Sequence, residues 1–135
     1  MAPTILAKYA HLLVHYCLEL QADEKLYIKS TTMAEPLIRE IYREALRVGA
    51  LVEIGMSFRE QARILLSQGT DEQLAYVSPA YQAAMEEFDA YLFIRAPHNL
   101  REDQNTDPER SRKRGKALSG LMKTYFERTA TRDLK

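Results

Sequence analysis

The sequence predicts an α/β fold in which helices flank a small parallel sheet of three strands, Rossmann-like but without a nucleotide-binding motif. Strand-like runs at 26–30, 50–56 and 90–96 alternate with amphipathic helical segments. Parallel strands need such crossovers, because the chain must return to the same end of the sheet before each new strand. After the third run, a long helical segment leads to Lys135, where a fourth strand is expected. We therefore expect 1–135 to be the N-terminal domain of a larger protein, truncated before that strand, with the missing part or a partner completing the sheet.

Composition and charge argue against several classes of protein. The 135 residues are 46% hydrophobic, and 19 basic residues balance 19 acidic ones. A zero net charge gives no global reason to expect nucleic acid or an anionic membrane as a partner. The single cysteine, Cys17, cannot form an internal disulfide, which favours a reducing, cytoplasmic setting. Polar side chains such as Lys8 and Glu19 interrupt the N-terminal apolar stretch and argue against a signal peptide or membrane span.

Helical periodicity and β-propensity define the first elements. Residues 4–20 carry apolar side chains at three-to-four spacing, which predicts one helix with Cys17 buried on its apolar stripe. Residues 26–30 are rich in β-branched and aromatic side chains and form the first strand. The next helix begins between Thr32 and Pro36, because Thr32 has capping-box spacing to a glutamate while proline favours the first helical position. Its predicted buried stripe consists of Leu37, Ile38, Ile41, Tyr42, Ala45, Leu46 and Val48.

Caps and breakers delimit the later elements. Gly49 stands where a glycine commonly ends a helix, directly before the second strand. Thr70 has capping-box spacing to Gln73 and begins a helix, which Ser78-Pro79 interrupts. Asp107-Pro108 combines an N-cap aspartate with a first-position proline and begins the last helix.

Candidate ligand contacts follow from the fold class, because ligands in open α/β sheets bind beyond the carboxyl ends of the strands. The residues at those ends are Thr31, Thr32, Ser57 and His98. The first strand-to-helix junction contains no glycine, and no Gly-Lys-Ser/Thr loop occurs, so classical nucleotide binding is not expected. We expect these four residues to contact a ligand or another domain, although solvated loop residues are the more common case.

Metal ligands and nucleophiles are poorly represented. His11 and His15 are four residues apart, but Leu12 occupies the position of the glutamate in a His-Glu-x-x-His metalloprotease helix. We therefore interpret the two histidines as polar residues at a domain or subunit boundary, and we expect no metal site and no catalytic residue in this chain. The basic run 110–116 is flanked by Asp103, Asp107 and Glu109, and no aromatic residues interleave it. It is interpreted as a solvated or interdomain helix face and not as a nucleic-acid site.

Seven segments taken together resemble the N-terminal domain of the thermophilic metalloprotease family, of the aminopeptidase T and aminopeptidase S type. The resemblance lies in their order and spacing over essentially the whole chain. Where that family tends to have tryptophan two residues after the helix-breaking proline, this chain has Tyr81. The segments are 6–14 (LAKYAHLLV), 24–29 (EKLYIK), 36–40 (PLIRE), 44–52 (EALRVGALV), 78–81 (SPAY), 94–97 (IRAP) and 107–110 (DPER).

The resemblance implies a cytoplasmic exopeptidase that removes N-terminal residues from peptides. It implies a homodimer and a pair of divalent metal ions, with cobalt, zinc or magnesium as the candidates. The family's metal ligands lie in a C-terminal domain whose motifs do not occur here, so no catalytic residue carries over. We expect this chain to shape the substrate-access cavity and to support the catalytic domain or the dimer. We also expect it to expose an apolar patch, and by itself to bind no catalytic metal and cleave nothing.

Two other functions remain as alternatives. A free-standing doubly wound module would bind a small ligand at Thr31, Thr32 and His98, and the isolated chain would then show saturable binding. A protein-interaction module would use the basic helix that follows Asp107, and its partner binding would depend steeply on salt. A receiver-like signalling domain is disfavoured, because the first strand ends in Ser30 and not in acidic residues.

Overall fold

A three-stranded parallel sheet lies at the centre of the fold. The computed structural model describes residues 4–95, 107–131 and 133–135. The strands are β1 (Lys25–Thr31), β2 (Leu51–Ser57) and β3 (Ala90–Phe93), in the order β2-β1-β3. Strand β1 pairs in parallel with both neighbours, which confirms the predicted fold class. Strand β3 is shorter than the predicted run, whose last residue lies outside the described ranges.

The sequence of β1 explains its central place. Its side chains alternate, so that Leu26, Ile28 and Ser30 are buried on one face of the sheet while Tyr27 and Lys29 are half-buried on the other. A strand covered on both faces needs side chains that pack in both directions. The helices therefore form two layers, one on each side of the sheet.

The helical layers differ in composition. Helices α1 (Ile5–Leu12) and α2 (Glu35–Val48) cover the face that carries Leu26 and Ile28. Helices α3 (Gln61–Gln68) and α4 (Asp71–Ala75) connect β2 to α5 (Pro79–Glu87), and α6 (Pro108–Ala130) follows β3. The second layer packs Ala84, Met85 and Leu121 against the aromatic rings of the opposite face. Among the described residues, no helix combines the length and the apolar character needed to cross a membrane.

The N-terminal helix is not the single α-helix that the sequence predicts. A π-helical turn at Leu13–Cys17 follows α1, and the Leu18 N–H donates to the Leu13 carbonyl five residues earlier, at 2.9 Å. The wider turn places Leu18, and not Cys17, on the buried side after Val14. Cys17 is therefore exposed, which corrects the prediction that it is a buried core residue.

Helix α2 begins at Glu35, within the predicted range from Thr32 to Pro36, but its buried stripe is narrower than predicted. A 3-10 turn, Thr32–Ala34, precedes Glu35, and the N-cap residue Ala34 makes no side-chain capping bond. Gly49 ends the helix with φ of +95°, as expected for a glycine in the left-handed region. Tyr42 and Leu46 are 40% and 51% exposed, because the sheet and α1 cover a narrower stripe than predicted. The buried members of that stripe are Ile38, Ile41 and Ala45.

The remaining caps are confirmed. Thr70 and Gln73 form a reciprocal capping box at α4. Ser78 caps α5, whose first residue is Pro79. The Asp107 carboxylate accepts from the Glu109 N–H at 2.9 Å at the start of α6. These polar contacts satisfy N–H groups that a helix leaves without internal partners.

Candidate functional site

The carboxyl edge of the sheet brings together three of the four predicted site residues. Thr31 ends β1 and lies directly opposite Ser57, the last residue of β2. Thr32 begins the turn that follows β1. Strand β1 is central, so the chain first continues to β2 on one side of it and later crosses to β3 on the other side. This reversal creates a switch point between β1 and β3. The fourth predicted residue, His98, lies outside the described residues.

Hydrogen bonds join the strand ends at this edge. The Ser30 hydroxyl donates to the Ile94 carbonyl at 2.7 Å, across the switch point. Ser30 is 2% exposed, and its bond holds the segment after β3 against the end of β1. The Ser57 hydroxyl donates to the Ser30 carbonyl at 3.3 Å. This hydroxyl proton therefore serves the sheet, and donation by Ser57 to a ligand would compete with that bond.

The opposite face of the sheet carries a cluster of aromatic residues. The Tyr27 and Tyr91 rings stack with their centroids 6.0 Å apart, and the Tyr81 and Tyr91 hydroxyls lie 3.0 Å apart. The Lys29 ammonium lies 3.9 Å from the centre of the Tyr81 ring. Burial and then the hydrogen bond with Tyr81 raise the pKa of Tyr91, and burial and then the Arg114 charge lower the pKa of Lys29. The Tyr91 phenol therefore stays neutral at physiological pH and is suited to packing, not to base chemistry.

The basic run on α6 is used largely inside the domain. The Arg110 guanidinium donates to the carbonyls of Leu66 and Gly69, at the end of α3. The Arg114 guanidinium donates to the carbonyl of Leu74, at 3.0 Å, and to that of Tyr76, at the end of α4. Cations at helix carboxyl ends satisfy free carbonyls and complement the helix dipole. The predicted solvated or interdomain face is therefore wrong for both arginines.

A cluster of two imidazoles and a carboxylate lies between α1 and α2. The Glu44 Oε1 atom is 2.8 Å from His15 Nε2 and 3.2 Å from His11 Nδ1. The imidazole ring centroids are 4.2 Å apart. Arg47 Nη1 donates to the other Glu44 oxygen, Oε2, at 2.9 Å. The hydrogen bond with His15 is the main influence that lowers the pKa of Glu44, and His11 and Arg47 add to it while burial opposes it.

Glu44 is the member of this cluster that sequence reasoning missed. It lies 29 residues after His15, and no local motif connects the two positions. The signal that could have indicated Glu44 was its position on α2. It directly precedes Ala45, a residue of the buried stripe, and this position turns the Glu44 side chain toward the neighbouring helix. The histidines therefore lie at a boundary within this chain, between two of its helices. A surface recess of about 340 Å³ adjoins the cluster and is lined by Ala7, Lys8, His11, Glu40, Glu44 and Arg47.

Comparison with solved structures shows the same fold in a larger protein. Wild-type AmpT from Thermus thermophilus is similar to this chain with a TM-score of 0.73 and 23% sequence identity. The similarity covers 90% of this chain and 32% of AmpT, so the chain spans about a third of the length of that protein. Among curated proteins, no sequence matches the chain significantly.

Comparison with protein families extends over nearly the whole chain. The model of the thermophilic metalloprotease family, M29, matches residues 3–135. This match includes both helical layers and all three strands of the sheet. The resemblance drawn from the sequence segments is thereby confirmed, and the chain belongs to the thermophilic metalloprotease family (M29).

Proposed function

We propose that this chain is the N-terminal α/β domain of a metal-dependent aminopeptidase, a cytoplasmic hydrolase that removes N-terminal residues from peptides. The observation that carries the proposal is the family match over residues 3–135. The chain spans 32% of AmpT, so we assign peptide cleavage to the protein that contains this domain and not to the domain alone. The whole protein is proposed to act as a homodimer.

The described residues do not fit the pair of divalent ions, cobalt, zinc or magnesium, that the family implies. A dinuclear site needs several carboxylates and imidazoles around two ions about 3.5–4 Å apart. In 4–95, 107–131 and 133–135, the one group of three or more convergent ligand side chains is His11, His15 and Glu44. Three side chains can serve one ion and not two. We therefore place the catalytic pair in another part of the protein.

The outer strands of the sheet support a role in contacting that other part. Ile54 and Met56, on one face of the edge strand β2, are 38% and 39% exposed. At the other edge, the Lys135 N–H donates to the Asp89 carbonyl at 2.9 Å, and the Tyr91 N–H donates to the Lys135 carbonyl at 3.0 Å. In a parallel pair, the N–H and the C=O of one residue bond to two different residues of the neighbouring strand, as Lys135 does here with Asp89 and Tyr91. These bonds support the proposal that a fourth parallel strand extends the sheet beside β3.

The carboxyl edge of the sheet is the surface that we propose to face the substrate-access cavity. Thr31, Thr32, Ser57 and His98 are the residues proposed to contact a ligand or the neighbouring domain there. The support is the position of Thr31 and Ser57 as a register pair at the ends of adjacent strands. Binding sites of this fold class form at that edge, next to the switch point.

An aminopeptidase assay tests the proposal. The 135-residue chain is supplied with unblocked peptides and with cobalt, zinc or magnesium, and the release of N-terminal residues is measured. The same chain is assayed after fusion to the C-terminal domain of an aminopeptidase of the same family. We expect no turnover by the chain alone and metal-dependent turnover by the fusion. Turnover by the chain alone would contradict the assignment of catalysis to another domain, and a folded but inactive fusion would contradict the supporting role.

A further inference from the structure

We propose that His11, His15 and Glu44 form a binding site for one divalent transition-metal ion, for which Zn²⁺ is the best-matched species. The three side chains come from two helices. His11 and His15 each direct one ring nitrogen, and Glu44 directs one carboxylate oxygen, to a common point. This site is independent of the proposed peptidase function, because it uses residues of this domain alone. It also revises our interpretation of the two histidines as simple boundary residues.

The separations of the ligand atoms suit a first coordination shell. Two ligand atoms about 2.0–2.1 Å from a tetrahedral zinc ion lie about 3.3 Å from each other. The Glu44 oxygen is 3.2 Å from His11 Nδ1 and 2.8 Å from His15 Nε2, and all three ligand atoms lie within 4.8 Å of one another. The two separations from Glu44 are close to the tetrahedral value, so we expect zinc binding to need only small adjustments of these side chains. Both histidines then carry their proton on the other ring nitrogen.

The backbone beneath the site is well anchored. Each proposed ligand is the sequence neighbour of a buried residue, and Ala10, Val14 and Ala45 are between 0% and 1% exposed. Helices α1 and α2 pack through these small and medium side chains, which fixes the spacing of the ligands across the two helices. His15 also lies in the π-helical turn, a feature that recurs at functional sites. The ligands are therefore positioned before an ion arrives.

The site is open to solvent on one side. The side chains of His11, His15 and Glu44 are 56%, 36% and 12% exposed. An ion therefore reaches the imidazoles without unfolding, and water completes the tetrahedron, as in zinc sites with three protein ligands. Arg47 binds Glu44 Oε2 and thereby directs Oε1 toward the histidines, a supporting contact of the kind that tunes metal affinity.

The ligand types decide which ions the site prefers. Two imidazoles and one carboxylate suit zinc, cobalt, nickel and copper better than magnesium or calcium, which prefer oxygen ligands. The charged side chains around the recess balance, since Lys8 and Arg47 oppose Glu40 and Glu44. The nitrogen ligands, and not a strong negative field, therefore provide the selectivity.

Zinc titration of the purified chain tests the site. The 135-residue chain is freed of metal with a chelator and titrated with Zn²⁺ in competition with a chromophoric indicator. We expect one ion per chain with micromolar or tighter affinity. His11→Ala, His15→Ala and Glu44→Gln each weaken binding by about tenfold or more, because direct ligands matter at least as much as their supporting contacts.

Two matched controls locate the ion. His98→Ala removes the remaining histidine of the chain, and Glu40→Gln removes a carboxylate that lines the same recess. Both variants are expected to bind zinc as the unaltered chain does. Loss of binding in His98→Ala, or binding retained in a His11→Ala/His15→Ala double variant, would overturn the proposal. Absence of stoichiometric zinc binding by the unaltered chain would overturn it as well.

A spectroscopic measurement on the unaltered chain covers the case of a variant that does not fold. Long-range nitrogen–proton spectra of the imidazoles report which ring nitrogens bind zinc. We expect shifts at Nδ1 of His11 and Nε2 of His15, with no change at His98. Shifts confined to His98, or unchanged spectra at saturating zinc, would show that His11, His15 and Glu44 form hydrogen bonds only and no metal site.

Discussion

The hydroxyl of Ser30 is predicted to contribute a large share of the stability at the functional edge of the sheet. Ser30 is 2% exposed at the end of β1, and its Oγ donates to the Ile94 carbonyl at 2.7 Å. Ile94 follows β3, so this bond joins two strand ends across the switch point, beside the backbone bond from the Ile94 N–H to the Lys29 carbonyl at 2.9 Å. The substitution Ser30→Ala removes the donor and leaves the Ile94 carbonyl without its side-chain partner.

The cost of Ser30→Ala can be estimated from these contacts. A typical hydrogen bond contributes about 1 kcal/mol, and an acceptor left without a donor in a buried site costs about 1–3 kcal/mol. Ile94 is half-buried, so water relieves part of the second cost. We therefore expect the free energy of unfolding to fall by about 1.5 kcal/mol. For a domain of this size, that corresponds to a decrease of about 6 °C in the melting temperature.

Urea unfolding followed by circular dichroism measures this effect, and Ser57→Ala is the matched control. Ser57 is also a serine at the end of a parallel strand, but its hydroxyl bond is 3.3 Å long and it is half-buried. We expect Ser57→Ala to lower the free energy of unfolding by less than about 0.5 kcal/mol. The slope of the transition should be the same in both variants, because neither changes the area exposed on unfolding.

The comparison has a clear refuting result. Equal effects of the two substitutions would show that the Ser30–Ile94 bond does not hold the strand ends together. A larger loss in Ser57→Ala would reverse the roles that the structure assigns to the two hydroxyls.

Three further predictions concern stability. Gly49→Ala is expected to destabilise the chain by about 1 kcal/mol or more, because Gly49 has φ of +95°. Gly120→Ala is expected to stabilise the chain by up to about 1 kcal/mol, since open space surrounds that helical glycine. Thermal melts that gave both changes the same sign would contradict this. Thr70→Ala removes the capping box of α4 and should cost about 1 kcal/mol in urea unfolding, and an unchanged midpoint would show that the cap is dispensable. Burial, followed by the hydrogen bond with Tyr81, raises the pKa of Tyr91 in the folded chain, so the unfolded chain ionises first and stability falls as the pH rises above about 10. Tyr91→Phe should reduce that alkaline loss, and urea midpoints with the same pH dependence as in the unaltered chain would refute the assignment.

Much of the fold was predictable because its signals are local. Alternating strand and helix patterns predicted the parallel sheet, and cap residues such as Thr70, Asp107 and Gly49 act on their immediate neighbours. The π-helical turn was not predictable, because it depends on how Leu18 packs into the core. Periodicity alone therefore placed Cys17 on the wrong side of the helix.

Long-range contacts account for what the sequence did not indicate about the site. The strand ends that carry Thr31 and Ser57 were predictable, since the carboxyl ends of parallel strands share one edge. The use of Arg110 as a cap for α3 requires contact between residues more than forty positions apart. The sequence by itself determined which residues are polar, apolar or capable of binding a metal. Only the packing of α2 against α1 decided that Glu44 meets His11 and His15, because burial of the helix stripes sets the rotation of each helix about its axis.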